Sequence, residues 1–216
     1  MKVITISRLL SSGGQTIGRQ VADELGYSFV TKKTIEKVMR QYGMVEFGEV
    51  YESSPGFLDR MDDFQEDMII MLRKILQAIG FVGNAVIVGR GSFAVFPNFS
   101  DVLNVRLWAP LDVRVDRFMS DRNLTDRKKA KDMVLKADKI RKGFVERWFH
   151  GYPDRSTVFD LVINTAKIAQ ESSVRLIVDT ARNQKDLELR EYNTLESLTV
   201  DKILLQTVEQ VLQSGS

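Results

Sequence analysis

The stretch AVIVGRG at residues 85–91 decides the fold of this chain, because an apolar run ends there in a glycine and an arginine. The run Ala85–Val88 is short and mostly β-branched, which is typical of a strand buried inside a parallel sheet. Open sheets of this class bind ligands at the carboxyl ends of their strands. Arg90 is therefore predicted to reach that edge and bind a phosphate through two parallel hydrogen bonds, although a surface ion pair would explain it equally.

The first thirty residues also begin with a strand that leads into a loop and a helix. Residues 2–7 form a short β-branched run, and the turn-forming cluster SSGG follows at residues 11–14. A helix with one apolar face is predicted next, with Gly26 as its C-cap, before a second strand at residues 27–30. A strand–loop–helix–strand start predicts a doubly wound, parallel α/β sheet.

The rest of the chain alternates helical and strand-like segments without an interdomain linker, so a single domain is predicted. Further strands are predicted at residues 85–88, 103–108 and 159–163, and helices at residues 34–42, 59–79, 111–121, 126–148, 168–179 and 200–212. Residues 43–57 are predicted to be a mobile connection and residues 180–199 a loosely packed loop. The last helix is expected to dock on the core rather than on a partner.

The composition excludes several kinds of site. The chain has 216 residues, no cysteine and a single histidine, which excludes disulfides, thiolate catalysis and clusters of cysteine or histidine around a metal. Its net charge of +2 is too small to indicate nucleic-acid binding by itself. No apolar run is long enough to cross a membrane, and the first residues resemble a strand rather than a signal peptide, so we expect a cytoplasmic protein.

The loop between the first strand and the first helix carries a candidate phosphate site. Glycines at a helix N-terminus let backbone N–H groups approach an anion, which predicts a site at Ser12, Gly13, Gly14, Gln15 and Thr16. The hydroxyl of Thr16 is placed to meet a magnesium ion held by the phosphates. The G-x-x-x-x-G-K-[ST] pattern requires lysine where Gln15 stands, so the match is incomplete, and an ordinary β–α turn would also explain the glycines.

Two basic segments follow further along the chain. Arg114 and Arg117 share a face of the helix after the strand at 103–108, and surface pairing with nearby carboxylates would explain at least one of them. Asp138 and Arg141 lie on one face of a long basic helix that could close over two nucleotides. Its arginines would then stabilise the charge on a transferring phosphoryl group, whereas the alternative is a solvated amphipathic helix.

In this order the motifs resemble the nucleoside monophosphate kinases, and most closely the cytidylate kinase-like family. The resemblance runs from residue 2 to about residue 179 and rests on these segments together: ITISR at 4–8, SGG at 12–14, IGR at 17–19, VIVGRG at 86–91, LWAPLDVR at 107–114, DKIR at 138–141 and FDLVINT at 159–165. It implies a three-layer P-loop kinase fold with a five-stranded parallel sheet flanked by helices. It also implies an acceptor-binding helical region at 43–82, a lid at 122–150 and a C-terminal extension at 180–216.

The resemblance further implies an activity, namely phosphoryl transfer from magnesium–ATP to a nucleoside monophosphate such as CMP or dCMP. The loop at residues 12–16 would hold the ATP phosphates and the Mg²⁺ ion. Arg90 would bind the α-phosphate of the acceptor, and Lys37 would occupy another acceptor-phosphate position. Asp138 and Arg141 would act from the lid in acceptor binding and catalysis. The implied partners are small nucleotides rather than nucleic acid or a membrane.

The chain departs from the family's usual pattern around the phosphate loop. The family usually has glycine and a basic residue where this chain has Ser11 and Gln15. We hypothesise that Arg8 or Arg19, which flank the loop, partly replaces the missing charge. The lid is also poorer in arginine than expected, with Val134 at a position where one is expected.

Two other functions stay open at this stage. A sensor that binds a nucleotide without turning it over is favoured by Gln15, because the loop then lacks its usual cation. RNA binding through the basic helix is disfavoured, because the segment at 126–147 also carries several acids and no aromatic stacking platform accompanies it.

Overall fold

Five parallel strands form one sheet in the computed structural model, which describes residues 2–44, 62–150, 156–183 and 193–214. From one edge of the sheet to the other, they are β2 Ser28–Val30, β3 Ala85–Val88, β1 Val3–Arg8, β4 Val102–Trp108 and β5 Leu161–Asn164. The predicted doubly wound α/β sheet is confirmed, and each strand lies close to its predicted position.

The central strand β1 brings the ends of its neighbours to one edge. All side chains at residues 3–7 are buried, as expected for a strand covered on both faces. Its register pairs Ile6 with Val88 of β3 and Arg8 with Leu107 of β4. Because all three strands run in the same direction, the segments that follow them meet at the carboxyl edge of the sheet.

Helices cover both faces of the sheet and form the outer layers of a three-layer fold. One face carries α1 Gly14–Leu25 and α7 Gln170–Arg182, and the other carries α2 Lys32–Gln41, α3 Asp62–Val82 and α8 Lys202–Gln213. The remaining helices are α4 Ser92–Val95, α5 Leu111–Arg122 and α6 Arg127–Phe149. Leu204, Val208 and Val211 of α8 are buried in the core, which confirms that the last helix docks there.

Two apolar clusters hold the long helix α6. Near its N-terminus, Ala130 and Val134 are fully buried against α5, and Leu10 of the phosphate loop packs on the same cluster. Near its C-terminus, Phe144 and Phe149 join the main core. The burial of Val134 explains the absence of an arginine at that position, because a guanidinium there would lose its water without a partner.

The connecting segments differ from expectation in two places. Leu195 is fully buried and begins the 3-10 turn Leu195–Ser197, so the end of the predicted loop at 180–199 packs on the core. The helix α4 was not predicted, because four residues carry no readable period. The predicted mobile connection at 43–57 lies, beyond residue 44, outside the described residues.

No helix in the described part of the chain is long and apolar enough to cross a membrane.

A glycine-to-alanine pair tests the packing of α3. A Cβ at Gly80 would lie 2.8 Å from Cε1 of the fully buried Phe96 and 3.0 Å from Cδ2 of Leu195. We expect Gly80→Ala to lower the free energy of unfolding by about 1–3 kcal/mol, because the ring cannot move without disturbing the core. Urea-induced unfolding measures this change.

The matched control is Gly143→Ala in α6, because a Cβ there would meet no atom within 4 Å. Alanine favours a helix over glycine, so this variant should gain about 0.5–1 kcal/mol. Equal effects of the two substitutions would show that the packing around Gly80 is looser than described.

Candidate active site

A cavity of about 200 Å³ lies at the carboxyl edge of the sheet, between the ends of β1 and β3 and helix α6. Among the described residues that line it, one carboxylate, Asp138, stands against the basic side chains of Arg8, Arg90, Arg106, Lys139, Arg141 and Lys142. Basic groups concentrated in a cleft attract anions, because the low-dielectric walls focus their field. The cavity brings together the predicted site residues Arg90, Asp138 and Arg141.

The turn after β3 holds Arg90 in an unusual backbone conformation. Gly89, Arg90 and Gly91 have consecutive positive φ angles of 80°, 58° and 70°. An arginine in this left-handed region costs about 1–2 kcal/mol, whereas glycine adopts it freely. A Cβ at Gly91 would lie 3.0 Å from the ring of Phe149, so α6 packs directly on the turn. Such strain is typical of functional sites, and here it accompanies an arginine that is only 4% exposed.

Internal hydrogen bonds shape the phosphate loop before α1. The hydroxyl of Ser12 donates to the carbonyl oxygens of Leu9 at 2.8 Å and Leu107 at 3.2 Å. Ser11 adopts a positive φ of 57°, a conformation that favours glycine. The backbone N–H of Ser12 also donates to the Leu9 carbonyl at 3.4 Å, and the Ser12 carbonyl accepts from the Thr165 hydroxyl at 3.1 Å. Ser12 therefore stabilises the loop through its side chain and its backbone.

The first turn of α1 carries the remaining loop residues predicted to bind a cofactor. Gly13 has a φ of 82° and precedes Gly14, the first residue of the helix, and the side chains of Gln15 and Thr16 are exposed. A Cβ at Gly14 would lie 2.8 Å from Cγ of Arg8, so the glycine leaves a space that another side chain fills. This arrangement fits a phosphate chain at the helix N-terminus.

The donor set also fits a magnesium ion that arrives with phosphates. Within the described ranges, no group of three or more His, Asp or Glu side chains is placed to hold a metal ion. Magnesium bound with a nucleotide takes most of its ligands from phosphates and water. The exposed Thr16 hydroxyl is the loop side chain that could complete such a shell.

A buried ion pair joins the loop to α6. Arg114 is 5% exposed, and its guanidinium donates to a carboxylate oxygen of Asp138, to the carbonyl of Ala109 at 2.9 Å and to that of Leu10 at 3.3 Å. The other carboxylate oxygen of Asp138 accepts from the Leu10 N–H at 2.8 Å and lies 3.5 Å from Nη1 of Arg141. We call the contacts of Arg114 and Asp138 with Leu10 and Ala109 the Arg114–Asp138 bridge. The bridge gives Asp138 a positioning role, while its catalytic role stays a prediction.

The expected surface pairing of Arg114 or Arg117 with nearby carboxylates is wrong. Arg117 donates to the hydroxyl of Thr165 at 3.0 Å and to its carbonyl oxygen at 2.7 Å, which holds the segment after β5. The carboxylates of Asp112 and Asp116 instead bind Arg127 on the surface. The helix positions were read correctly, but the partners of these arginines come from other elements.

Lys37 does not join the other predicted site residues. Its Nζ donates to the Ser214 hydroxyl at 2.6 Å, at the end of α8. The cavity instead contains Arg106, Lys139 and Lys142, which were not among the predicted site residues. Arg106 donates to the hydroxyl of Ser7 at 2.7 Å, and its charge within the apolar run of β4 was the available signal.

The comparison with known families agrees with this arrangement. A model of the cytidylate kinase-like family matches residues 3–167, which include the phosphate loop, Arg90 and the Arg114–Asp138 bridge. The chain belongs to the cytidylate kinase-like family. The family membership and the similarity to cytidylate kinases relate this protein to the phosphotransferases.

Two cytidylate kinases are similar over most of the chain. That of Saccharolobus islandicus (strain L.S.2.15) is 24% identical over 198 residues, which cover 88% of this chain and 98% of the relative. That of Ignicoccus hospitalis is 29% identical over 181 residues, which cover 82% and 97%. A uronate isomerase of Corynebacterium glutamicum is 31% identical over 118 residues, or 55% of this chain, but the match spans only 22% of the isomerase.

Solved structures share the fold of this cytidylate kinase-like protein. An uncharacterized protein from Eubacterium ventriosum has a TM-score of 0.64 at 20% identity and covers 85% of this chain and 99% of its own. A shikimate kinase from Bacteroides thetaiotaomicron has a TM-score of 0.51 at 17% identity, with coverages of 84% and 98%. At these identities the likeness concerns the fold, which is that of the P-loop kinases.

Breaking the Arg114–Asp138 bridge should destabilise this cytidylate kinase-like protein strongly. The Arg114 side chain is 6% exposed and that of Asp138 is 15% exposed, so removal of Arg114 would leave a largely buried carboxylate with one ion-pair contact, at 3.5 Å to Arg141, and the hydrogen bond from Leu10. We expect Arg114→Met to lower the free energy of unfolding by about 3–5 kcal/mol, as measured by urea-induced unfolding.

The control for this substitution is Arg127→Gln, which removes a charge of the same type from the surface. A hydrogen bond to Asp116 raises the pKa of the Arg127 guanidinium, but half of this side chain is exposed and water screens its ion pairs. The midpoint of unfolding should hardly change. A loss as large as that of Arg114→Met would mean that overall charge, rather than the buried bridge, sets the stability.

Proposed function

We propose that this protein transfers a phosphoryl group from magnesium–ATP to a nucleoside monophosphate, with CMP or dCMP as the preferred acceptors. The observation that carries the proposal is the cavity at the carboxyl edge, where basic residues from β1, β4, α6 and the turn after β3 converge beside the phosphate loop. An acceptor that carries its own phosphate matches this charge, whereas an acceptor with only hydroxyl groups would leave the cations without an anionic partner.

The phosphate loop is the proposed site of ATP. Backbone N–H groups at the start of α1, next to Gly13 and Gly14, would hold the phosphate chain. Thr16 would hold the magnesium ion, which would neutralise negative charge on the β- and γ-phosphates when bound. Gln15 would contribute polar contacts from its exposed side chain but no charge.

Arg90 and Arg141 are the proposed acceptor and transition-state arginines. The strained turn around Arg90 presents its guanidinium at the end of β3, where it would bind the acceptor phosphate. Arg141 would bind from α6, where Asp138 lies 3.5 Å from its Nη1 and orients it. Lys37 would reach the acceptor only if it left its contact with Ser214, so its role is a subsidiary proposal.

The preference for cytosine nucleotides rests on the relatives. The two cytidylate kinases described above cover most of the chain, and identity of 24% and 29% leaves room for a change of base. The region at 34–67 would select the base.

A second candidate function is nucleotide binding with little or no turnover. The observation that favours it is Gln15, which provides no cation in the loop. Phosphoryl transfer depends mostly on positioning and electrostatic stabilisation, so an uncompensated loss of charge would slow chemistry more than binding.

The direct test measures ADP formation by the purified protein with magnesium–ATP and each of CMP, dCMP, UMP, AMP and GMP, and with no acceptor. Turnover that depends on CMP or dCMP supports the proposal. Turnover with a purine nucleotide alone would overturn the base preference but keep the reaction. ATP binding without turnover with any acceptor would favour the nucleotide-binding candidate.

Arg90→Lys tests the proposed role of Arg90 in the acceptor site. Lysine keeps the charge and meets the same backbone strain, but it cannot form two parallel hydrogen bonds to a phosphate. We expect the KM for the acceptor to rise about tenfold or more, with little change in the KM for ATP.

The matched control is Arg175→Lys on the exposed surface of α7, which should leave both KM values unchanged. If Arg90→Lys raised the KM for the acceptor and the KM for ATP equally, Arg90 would either contact both nucleotides or maintain the structure of the turn.

A further inference from the structure

Arg8 occupies a space that two glycines leave open. A Cβ at Gly14 would lie 2.8 Å from Cγ and 3.0 Å from Cβ of Arg8, so the stem of this side chain runs beside the first residue of α1. A Cβ at Gly89 would lie 2.1 Å from Nη1 and 2.6 Å from Cζ, so the guanidinium lies directly over Gly89. Any larger residue at position 89 would displace it.

This position lies between the two proposed phosphate sites. The stem contacts the helix that begins at the phosphate loop, and the guanidinium lies over the residue that precedes Arg90. Arg8 also lines the same cavity as Arg90 and Arg141. A phosphoryl group that passes between the two proposed sites would cross this space.

Arg19, the other arginine near the loop, points elsewhere. Its guanidinium carbon lies 4.2 Å from the centroid of the Phe29 ring, on the strand that follows α1. Arg19 is absent from the described residues that line the cavity. Of the two flanking arginines, the geometry therefore favours Arg8 as the replacement for the charge that Gln15 lacks.

We propose that the Arg8 guanidinium binds the γ-phosphoryl group of ATP during its transfer. This assignment rests on the proposed function. In the reaction, an oxygen of the acceptor phosphate bonds to the γ-phosphorus, and the bond from that phosphorus to the β–γ bridging oxygen breaks. The bridging oxygen keeps the electron pair and leaves as part of ADP. Arg8 forms no covalent bond and donates N–H groups to the oxygens of the phosphoryl group.

The test compares two ligands that differ in the γ-phosphate, using calorimetry on the full chain with magnesium. The ligands are ADP and an ATP analogue with a non-hydrolysable imido bridge. We expect Arg8→Gln to weaken binding of the analogue about tenfold or more while ADP affinity stays within about twofold, because a charged hydrogen-bond partner of the γ-phosphate is lost. Turnover should fall about a hundredfold or more.

Gly89→Ala provides a second variant that keeps Arg8. Its Cβ would occupy the position of the guanidinium, so we expect the same selective loss of analogue binding and of turnover. Gly83→Ala is its control, because Gly83 has a similar φ of 75° and its nearest neighbour would be Lys2 Cβ at 3.7 Å. Both alanine variants should lose similar thermal stability, and only Gly89→Ala should lose γ-phosphate selectivity. Arg19→Gln should bind both ligands as the unmodified chain does.

Several outcomes would overturn the assignment. Equal weakening of ADP and analogue, or no weakening of either, would mean that Arg8 does not contact the γ-phosphate. A rise in the acceptor KM alone would place Arg8 in the acceptor site instead. Selective loss of analogue binding in a protein that turns over no acceptor would support the contact between Arg8 and the γ-phosphate while rejecting its role in transfer and the proposed kinase reaction.

Discussion

The buried ion pair between Arg114 and Asp138 is the contact on which the arrangement of the site depends. Its two side chains also bind the N–H and carbonyl groups of Leu10 and the carbonyl of Ala109. These hydrogen bonds join the phosphate loop, the turn before α5 and helix α6. Apolar packing holds α6 against the core but does not fix its position along the loop, because such packing is not directional. The ion pair supplies that direction.

The described lining of the cavity carries six basic side chains and one carboxylate, Asp138, so positive charges that Asp138 does not balance repel one another. Arg8, Arg90 and Arg141 come from β1, the turn after β3 and α6, each anchored in buried structure. The left-handed turn at Gly89–Gly91 adds backbone strain to this repulsion. Phosphate groups offset the repulsion through charged hydrogen bonds, so the same features that cost stability favour a ligand with several negative charges.

Local pattern and chain direction were sufficient to predict two features of the site and its neighbouring helix. Arg90 was expected at the carboxyl edge because a buried strand ends just before it, and it lies there. Gly26 was expected to end α1, and it does so with a φ of 67°. The partner of Arg114 was predicted wrongly, because the spacing of charges along a helix identifies neighbours on that helix alone. The partner lies on α6, and no local period reports that contact.

The sequence by itself determined the parallel α/β sheet, the family and the basic character of the edge, because strand composition, glycine turns and motif order are properties of the chain. The tertiary structure alone decided which flanking arginine enters the cavity. Arg8 lies four residues before Ser12 and Arg19 three residues after Thr16. Gly14 and Gly89 leave space for Arg8, whereas Phe29 stacks with Arg19. That choice depends on packing between residues far apart in sequence, which appears only when β1, β3 and α1 are assembled.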